Sequence, residues 1–344
     1  MNFNISIIII NWNGWEDTLE CLESLYQINY SNYNIIVVDN NSNDDSMEKI
    51  KEYCKGQIVI EPKFCQYNPD NKPIKLFEYN KNELKVEMNL QNDFNSSFNK
   101  IIFLIKNNVN LGFAEGNNVG IKFALNNLNP DYILLLNNDT VVDPDFLTEL
   151  IKIAEIDKEI GFVGAKTYFY DKKNTIQIAG GGYIDFKQVI AIENGLNQID
   201  SSKYNKNYPV DYVSGSCMLC KREVLDKIGL LNTNYFMYWE DVDWCFRGKK
   251  LGYKSFYAFK SKIWHKTGVS SNNYFKIYYY TRNRIYFMKQ NFNDSNYIKS
   301  LIYFFICIFL PQSATYLVNK DLKGFKPYLR GIINGFYCLL NTSI

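Results

Sequence analysis

The apolar positions of this chain fall into short runs broken by polar clusters, and the spacing alternates between a strand period and a helix period. Residues 6–10 (SIIII) form a β-branched run followed by Asn11-Trp12-Asn13-Gly14. A helical pattern, DTLECLESLYQI, comes next, and a second β-branched run follows at 34–38 (NIIVV). The polar DNNSNDDS then offers caps for a helix over SMEKIKEYC. Wholly apolar short strands belong in a sheet covered on both faces, so the opening predicts a β-α-β-α unit with parallel strands.

Residues 61–100 break this rhythm. They are rich in Asn, Lys, Pro and Asp with little periodicity, which predicts an inserted loop or small excursion. Alternation resumes with a strand at 101–105 (IIFLI), a loop NNVNLGFAEGNN, a helix VGIKFALNNL and a strand at 132–136 (YILLL). The helix DPDFLTELIKIAEI follows, then two segments of mixed strand and loop, GFVGAKTYFY and TIQIAGGGYIDF. YVSGSCMLCKREVLDKIG reads as a strand entering a helix, and another helix opens near Glu240 in YFMYWEDVDWCFRGKKLGY. Beyond the aromatic and basic YFKIYYYTRNRIYFMKQN lies a ten-residue apolar block, LIYFFICIFL, which Pro311 ends. A membrane-crossing helix needs about 20 residues, so the block predicts an interfacial amphipathic helix or a core helix.

With 344 residues, 47% of them apolar and 22% charged, the chain can bury a large globular core. The net charge of +2 hides a division: from Cys245 onward there are sixteen Lys and Arg against two acids. Residues 1–244 therefore carry 22 basic and 34 acidic groups. A basic C-terminal third implies an anionic partner, membrane lipid or nucleic acid. The eight cysteines are scattered, and Cys217-Met-Leu-Cys220 sits in an apolar run without a second pair, so buried thiols are expected. No basic stretch precedes SIIII, which points to a reducing, cytoplasmic setting.

Ligands of open α/β sheets bind beyond the C-terminal strand ends, and four of these ends carry polar clusters. They are Asn11-Trp12-Asn13, Asp39-Asn40-Asn41, Asn110-Leu111-Gly112 and Asn137-Asn138-Asp139. Four in one sheet suggest a polar ligand of nucleotide size. Gly112, Gly116 and Gly120 stand four apart, which disfavours a dinucleotide fingerprint. Asp139 with His265, the chain's single histidine, makes an oxygen and nitrogen set suited to Mn²⁺ or Mg²⁺ completed by substrate phosphates. Glu240 and Asp241 follow the aromatic run YFMYW, where a partly dried carboxylate can act as general base toward a hydroxyl.

The series SIIIINWNGWEDTLECLESL, VVDNNSNDDS, NVNLGFAEGNNVGI, YILLLNNDTVVDPDFL, SGSCMLCKREVLDKIG and YFMYWEDVDWCFRGKKLGY resembles the motifs of family 2 glycosyltransferases. The branch it is most similar to is the rhamnosyl- and galactofuranosyltransferase-like enzymes of surface polysaccharide assembly. The resemblance implies an α/β GT-A fold, with a Rossmann-like, mostly parallel sheet flanked by helices over residues 1–270. A helical, aromatic and basic extension would occupy 271–344. It implies inverting transfer of a sugar from a nucleotide-diphosphate donor, with rhamnose and a dTDP or UDP carrier expected from the branch alone. Asp39 would bind the base, beside Asn11, Trp12 and Asn13. Asn40, Asn110, Gly112, Gly116, Asn117 and Asn138 would line the rest of the donor site. Asp139 and His265 would hold the Mn²⁺ or Mg²⁺, although the first acid of the family's Asp-x-Asp is replaced here by Asn137. Asp241 would be the base, with Glu240 beside it, and Trp239, Gly215 and Ser216 would face the acceptor.

The expected acceptor is a glycan or a polyprenyl-diphosphate-linked saccharide. The basic tail would then sit on an anionic membrane at its cytoplasmic face, and nucleic acid is not an expected partner. A sugar-nucleotide pyrophosphorylase should carry a Gly-rich, basic phosphate loop, and INWNGWEDT has neither Lys nor Arg. A non-catalytic sugar-nucleotide or membrane-binding protein is disfavoured by the joint presence of Asp139, His265 and Asp241.

Overall fold

The computed structural model describes residues 2–83, 101–266 and 273–341. Part of the 61–100 segment, residues 84–100, therefore lies outside the described residues. The spine is a run of parallel strands in the spatial order Lys75–Asn80, Ile101–Lys106, Tyr33–Asp39, Ile5–Asn11 and Tyr132–Asn137. Cys217–Lys221 joins next, antiparallel to Tyr132–Asn137 and to Ile160–Phe169 on its other side. The α/β architecture with a mostly parallel sheet is thus the one that the apolar runs predict.

Strand alternation divides the core. Ile5, Ile7, Ile9, Ile35 and Val37 pack with the helices Trp15–Leu25, Ser46–Cys54 and Phe146–Ala154. Ile8, Ile36, Val38, Ile133 and Leu135 face the opposite layer, which holds the helices Gly112–Asn127, Arg222–Ile228 and Glu240–Lys250. Both faces are buried, which is why these strands are continuous in Ile, Val and Leu rather than alternating with polar residues.

Three elements differ from the expectation. Lys75–Asn80, inside the supposed excursion, is a strand that extends the sheet beside Ile101–Lys106. An edge strand is only half covered, so KLFEYN lacks the apolar run that marks the inner strands. The helix predicted to begin near Val119 begins at Gly112. Its glycines masked it, because glycine disfavours helix interiors, yet here they allow close packing. A Cβ on Gly120 would stand 2.6 Å from Ile8 Cγ2, and one on Gly116 would stand 3.0 Å from Ile10 Cδ1.

The third difference is at Pro311. The helix does not stop there but runs over Asp294–Val318, with a π-helical stretch at Phe304–Phe309. Pro311 has no N–H to give the carbonyl of Cys307, and the π turn just before it takes up the altered spacing. At 25 residues and mean hydropathy 1.8, this is the one helix among the described residues long and apolar enough to cross a membrane. Length and composition alone support that statement. Helix Asn273–Asn291 packs on the catalytic half of the core through Ile285, Tyr286, Phe287 and Met288, all buried, and Leu322–Asn341 lies along it. Cys217 and Cys220 are buried and unpaired, and burial pushes the Cys217 thiol up to about 12.

Gly120→Ala should cost about 1–3 kcal/mol by overpacking Ile8, seen as a lower thermal unfolding midpoint. A midpoint equal to that of the unsubstituted chain would refute the close helix-strand contact.

Candidate active site

Parallel register brings the predicted strand ends together. Asn11 pairs with Asp39, and Ile10 with Asn137, so three polar clusters meet where the chain order reverses around Ile5–Asn11. The short strand Thr140–Val142 then pairs with the end of Lys254–His265, and His265 lies opposite Thr140. That pairing carries the imidazole to the acid: His265 Nε2 is 2.9 Å from Asp139 Oδ1. His265 Nδ1 is 2.8 Å from Gln177 Oε1, and Asn137 Nδ2 is 3.2 Å from Nε2.

These contacts test the residues as metal ligands. With Nδ1–H donated to Gln177, Nε2 presents a lone pair toward a carboxylate oxygen, and a proton or cation must separate the two. Two cis ligands of an octahedral ion with bonds of about 2.1 Å stand about 3 Å apart, which is the spacing seen. An outer acceptor fixing the tautomer is the usual companion of a ligating histidine. The pair fits a divalent ion that takes its remaining ligands from phosphate and water. No group of three His, Cys, Asp or Glu able to enclose a metal occurs among the described residues.

Beside Asp139 opens a cavity of about 320 Å³ lined by Trp12, Asn40, Asn110, Gly112, Asn138 and Asp139 on one side. Phe113, Phe236, Met237, Tyr238 and Phe275 form the other wall. Trp12 is 43% exposed at the rim, a free aromatic face for a flat ring. Asn11, Asn13, Asp39, Gly116 and Asn117, also expected at the donor, do not line the cavity. Asp39 accepts from Asn11 Nδ2 (2.8 Å) and from the Ser42 side chain (2.6 Å) and N–H (3.0 Å), so both its oxygens are committed. Asn13 Oδ1 accepts from the Asn43 N–H, Gly116 packs on Ile10, and Asn117 Nδ2 donates to Phe113 O. Asn40 organises the loop above, accepting from the Leu111 N–H and Asn107 Nδ2 while donating to Asn110 Oδ1 and Gly112 O.

The acidic pair sits at the start of helix Glu240–Lys250, where the helix dipole favours negative charge. Asp241 Oδ2 accepts the Gly215 N–H at 3.0 Å, and Oδ1 accepts the Val242 N–H at 2.8 Å. Glu240 is buried, and its Oε2 has no partner. Burial, with Asp241 adjacent, pushes the Glu240 carboxyl well up; burial also raises Asp241, and backbone N–H groups oppose that rise. The environments therefore act unequally on the pair: burial and the adjacent Asp241 raise Glu240 strongly, whereas backbone N–H groups favour the charged form of Asp241 and oppose its rise. Asp243, the third acid, is structural, paired with Arg247 at 2.8 Å and accepting from Tyr235 and Asn291.

Gly215 and Ser216 join the two halves. Gly215 holds Asp241, and Ser216 O accepts the Asn137 N–H at 3.0 Å. Trp239, expected to face the acceptor, is instead 2% exposed and packs on Tyr280 and Phe287, supporting the wall from behind.

Sequence reasoning missed several participants. Glu193, exposed at the end of strand Ile190–Glu193, is partly desolvated, which raises its carboxyl; Lys276 opposes this, with Asp241 and His265 also within electrostatic reach. Nothing in IAIEN marks it. Asn283 was missed as well. It is fully buried and donates its amide to the carbonyls of Tyr235 (2.8 Å), Met237 (2.8 Å) and Tyr238 (2.7 Å). Phe236, Tyr238 and Trp239 all have positive φ there, a conformation that costs free energy and needs such support.

Comparison with known proteins agrees with this geometry. Residues 86–287 match the family described as "Glycosyltransferase like family 2", and residues 6–72 match "Glycosyl transferase family 2". The low-salt glycan biosynthesis hexosyltransferase Agl10 of Haloferax volcanii is 24% identical over 239 residues, 68% of this chain and 75% of that one. The N-acetylglucosaminyl-diphospho-decaprenol L-rhamnosyltransferase of Mycobacterium tuberculosis is 40% identical over 63 residues, 18% of this chain and 20% of that one. The mannosyltransferase PcManGT from Pyrobaculum calidifontis, solved with GDP-Man and Mn²⁺, superposes with a TM-score of 0.54 at 13% identity, covering 98% of this chain and 86% of that one. Fold and family thus define a glycosyltransferase of the GT-A fold. The chain belongs to glycosyltransferase family 2.

The raised Glu240 carboxyl has a consequence for stability. Its folded value lies above its unfolded one, so its stabilising contribution is complete below the ordinary glutamate range, about 4.3. It is lost as pH rises through that range toward the folded value, because the unfolded state then releases the proton first. Glu240→Gln should melt near the unsubstituted protein at pH 4 and at least about 2 °C above it at pH 8. Parallel melting curves across that range would exclude a raised Glu240.

Proposed function

We propose that this chain is an inverting glycosyltransferase that moves a sugar, rhamnose first among the candidates, from a dTDP- or UDP-linked donor to an acceptor hydroxyl. The observation that supports the proposal is the Gly215-Ser216 link, one dipeptide that bonds to Asp241 on one side and to Asn137, two residues from Asp139, on the other. Inversion needs a base on one face of the anomeric carbon and a held leaving group on the other, and this arrangement supplies both.

The donor's ring would stack against Trp12, with its diphosphate directed to Asp139. Asp139 and His265 would hold Mn²⁺ or Mg²⁺, which when bound offsets negative charge on the departing diphosphate. Asp241, ionised and held by Gly215 and Val242, takes the acceptor proton as the hydroxyl oxygen attacks. One displacement follows, without a covalent intermediate. Neutral Glu240 lets Asp241 act without a second charge beside it, and Glu193 with Lys276 offers hydrogen bonds to the acceptor's other hydroxyls. The aromatic wall from Phe236 to Tyr238 limits water, which would otherwise compete as acceptor.

The name of the mycobacterial relative supports a diphosphate-linked lipid saccharide as acceptor, and that of the haloarchaeal one supports a hexose donor. With such an acceptor, the chain works at the cytoplasmic face of the membrane, in cell-surface glycan assembly. Residues 1–270 act as the transferase domain and 271–344 as a helical extension toward the lipid.

A thermal-shift series with UDP, dTDP and GDP, with and without Mn²⁺, tests the donor side. One nucleotide should raise the midpoint in a Mn²⁺-dependent way, and Asp139→Ala with His265→Ala should remove the metal-dependent part. Asp241→Asn should keep that shift yet lose at least about a hundredfold in transfer, the scale of a lost general base. Full transfer by Asp241→Asn would reject the base; a metal-dependent shift surviving both ligand substitutions would reject the metal pair.

A further inference from the structure

The Asp139–His265 pair is gripped from outside the cavity by residues whose place in the sequence suggests no role. Residues 61–72, inside the polar excursion, are tied to the helix Trp15–Leu25 by two buried carboxylates one turn apart. Glu23 accepts the Asn68 N–H at 2.9 Å and pairs with Lys72 at 3.0 Å. Glu20 Oε1 accepts the Lys63 N–H at 3.0 Å and the Tyr170 hydroxyl at 2.6 Å. Its other oxygen stands 2.5 Å from Lys266 Nζ, which Asp17 also holds at 2.7 Å.

Lys266 directly follows His265, and its backbone N–H donates to the Asp139 carbonyl at 2.9 Å. One residue is thus joined to both proposed metal ligands, to one by a peptide bond and to the other by a hydrogen bond. On the other side of His265, the Trp264 ring stacks on Phe64, with centroids 4.5 Å apart and planes 13° from parallel. Tyr170 closes the enclosure: its N–H donates to the His265 carbonyl at 3.1 Å, and its ring meets Phe64 edge-on at 5.1 Å. Glu20, Phe64, Tyr170 and Lys266 do not line the catalytic cavity; their route to it is through Asp139 and His265.

A site with two protein ligands is sensitive to such support. Among the described residues no third His, Cys, Asp or Glu joins the pair, so the 2.9 Å spacing must be held by what surrounds it. Charge acts in the same direction. A free ammonium beside His265 would repel a divalent ion, and Asp17 with Glu20 offsets it.

We infer that Glu20, Lys266 and Phe64 are positioning residues for the metal pair, setting the Asp139–His265 spacing from outside the cavity, and that the 61–72 segment closes this brace. The inference rests on the metal reading of Asp139 and His265 and adds to it the residues that tune the ion's affinity.

The test is a Mn²⁺ titration of the full chain, followed by the enhanced water-proton relaxation that slowly tumbling, protein-bound Mn²⁺ produces. Glu20→Gln keeps an oxygen for Lys63 and Tyr170 but breaks the ion pair with Lys266. It should weaken Mn²⁺ binding about tenfold, the scale for an outer partner of a metal ligand. Phe64→Ala, at a ring 38% exposed, should weaken binding by about two- to tenfold, the worth of one stacked pair. A merely structural role would lower the unfolding midpoint equally with and without Mn²⁺ and leave the affinity unchanged; that result for both variants overturns the inference. Should Glu20→Gln fail to fold, Phe64→Ala decides alone. Failure of the metal reading shows separately, as Mn²⁺ binding that is absent from the unsubstituted chain or that survives Asp139→Ala.

Discussion

Asn283 holds the loop on which both halves of the site depend. Its single amide group shares two N–H bonds among three carbonyls, those of Tyr235, Met237 and Tyr238. Those bonds help to offset three departures into the left-handed region within four residues, at Phe236, Tyr238 and Trp239. The loop conformation then does two things. Phe236 O accepts the N–H groups of Phe113 (2.7 Å) and Ala114 (3.2 Å), capping the helix beneath the donor cavity. Trp239 turns inward as the N-cap of the next helix and so aims Glu240 and Asp241 at the cleft. One buried amide from the C-terminal helix therefore sets the donor wall and the acidic pair together.

The inner sheet was legible because its strands are buried on both faces and show it in unbroken Ile, Val and Leu. Elements that depend on a neighbour for their reason were not. KLFEYN is a strand only because Ile101–Lys106 offers an edge. GFAEGNN is helical because Ile8 and Ile10 leave room for hydrogen atoms and nothing larger, a fact about the strand rather than the segment. The helix through Pro311 likewise depends on a π turn that no local pattern announces.

The site divides along the same line. Asp139 and His265 could be paired in advance because few chemistries need a strand-end acid and a lone imidazole, and the register of Thr140 with His265 supplies the contact. Asp39 was legible as a strand-end acid, but its commitment to Asn11 and Ser42 was not, since those partners lie on different loops. Trp239 looked like acceptor wall because it adjoins the acids; its positive φ turns it the other way. Glu193 and Lys276 come from a small sheet and a distant helix, and only folding brings them to Asp241.

Charge balance is the remaining constraint, and it gives the uneven sequence a meaning. The acidic first 244 residues put Asp241 within electrostatic reach of Glu193 and set Asp139 against His265, and the donor proposed above would add further negative charge. Acids so placed repel a diphosphate unless cations offset them locally. Lys266 is occupied by Asp17 and Glu20, so it adds little, and burial raises the Glu240 carboxyl, which favours its neutral form. The sixteen basic residues that follow are not one solvated face. Arg284 is buried over Phe304 and donates to the carbonyl of Gln188, and Arg282 is bound to the 234–235 carbonyls. Lys323, Lys326 and Arg330 face outward on the last helix, where no carboxylate pairs with them among the described residues. A cleft that must ionise one acid cannot also concentrate cations against it, because each would hold the base in its pair and weaken its pull on a proton. Carrying cations on an extension, which Asn283 ties back to the 235–238 loop, keeps them out of ion pairs with the base proposed at Asp241.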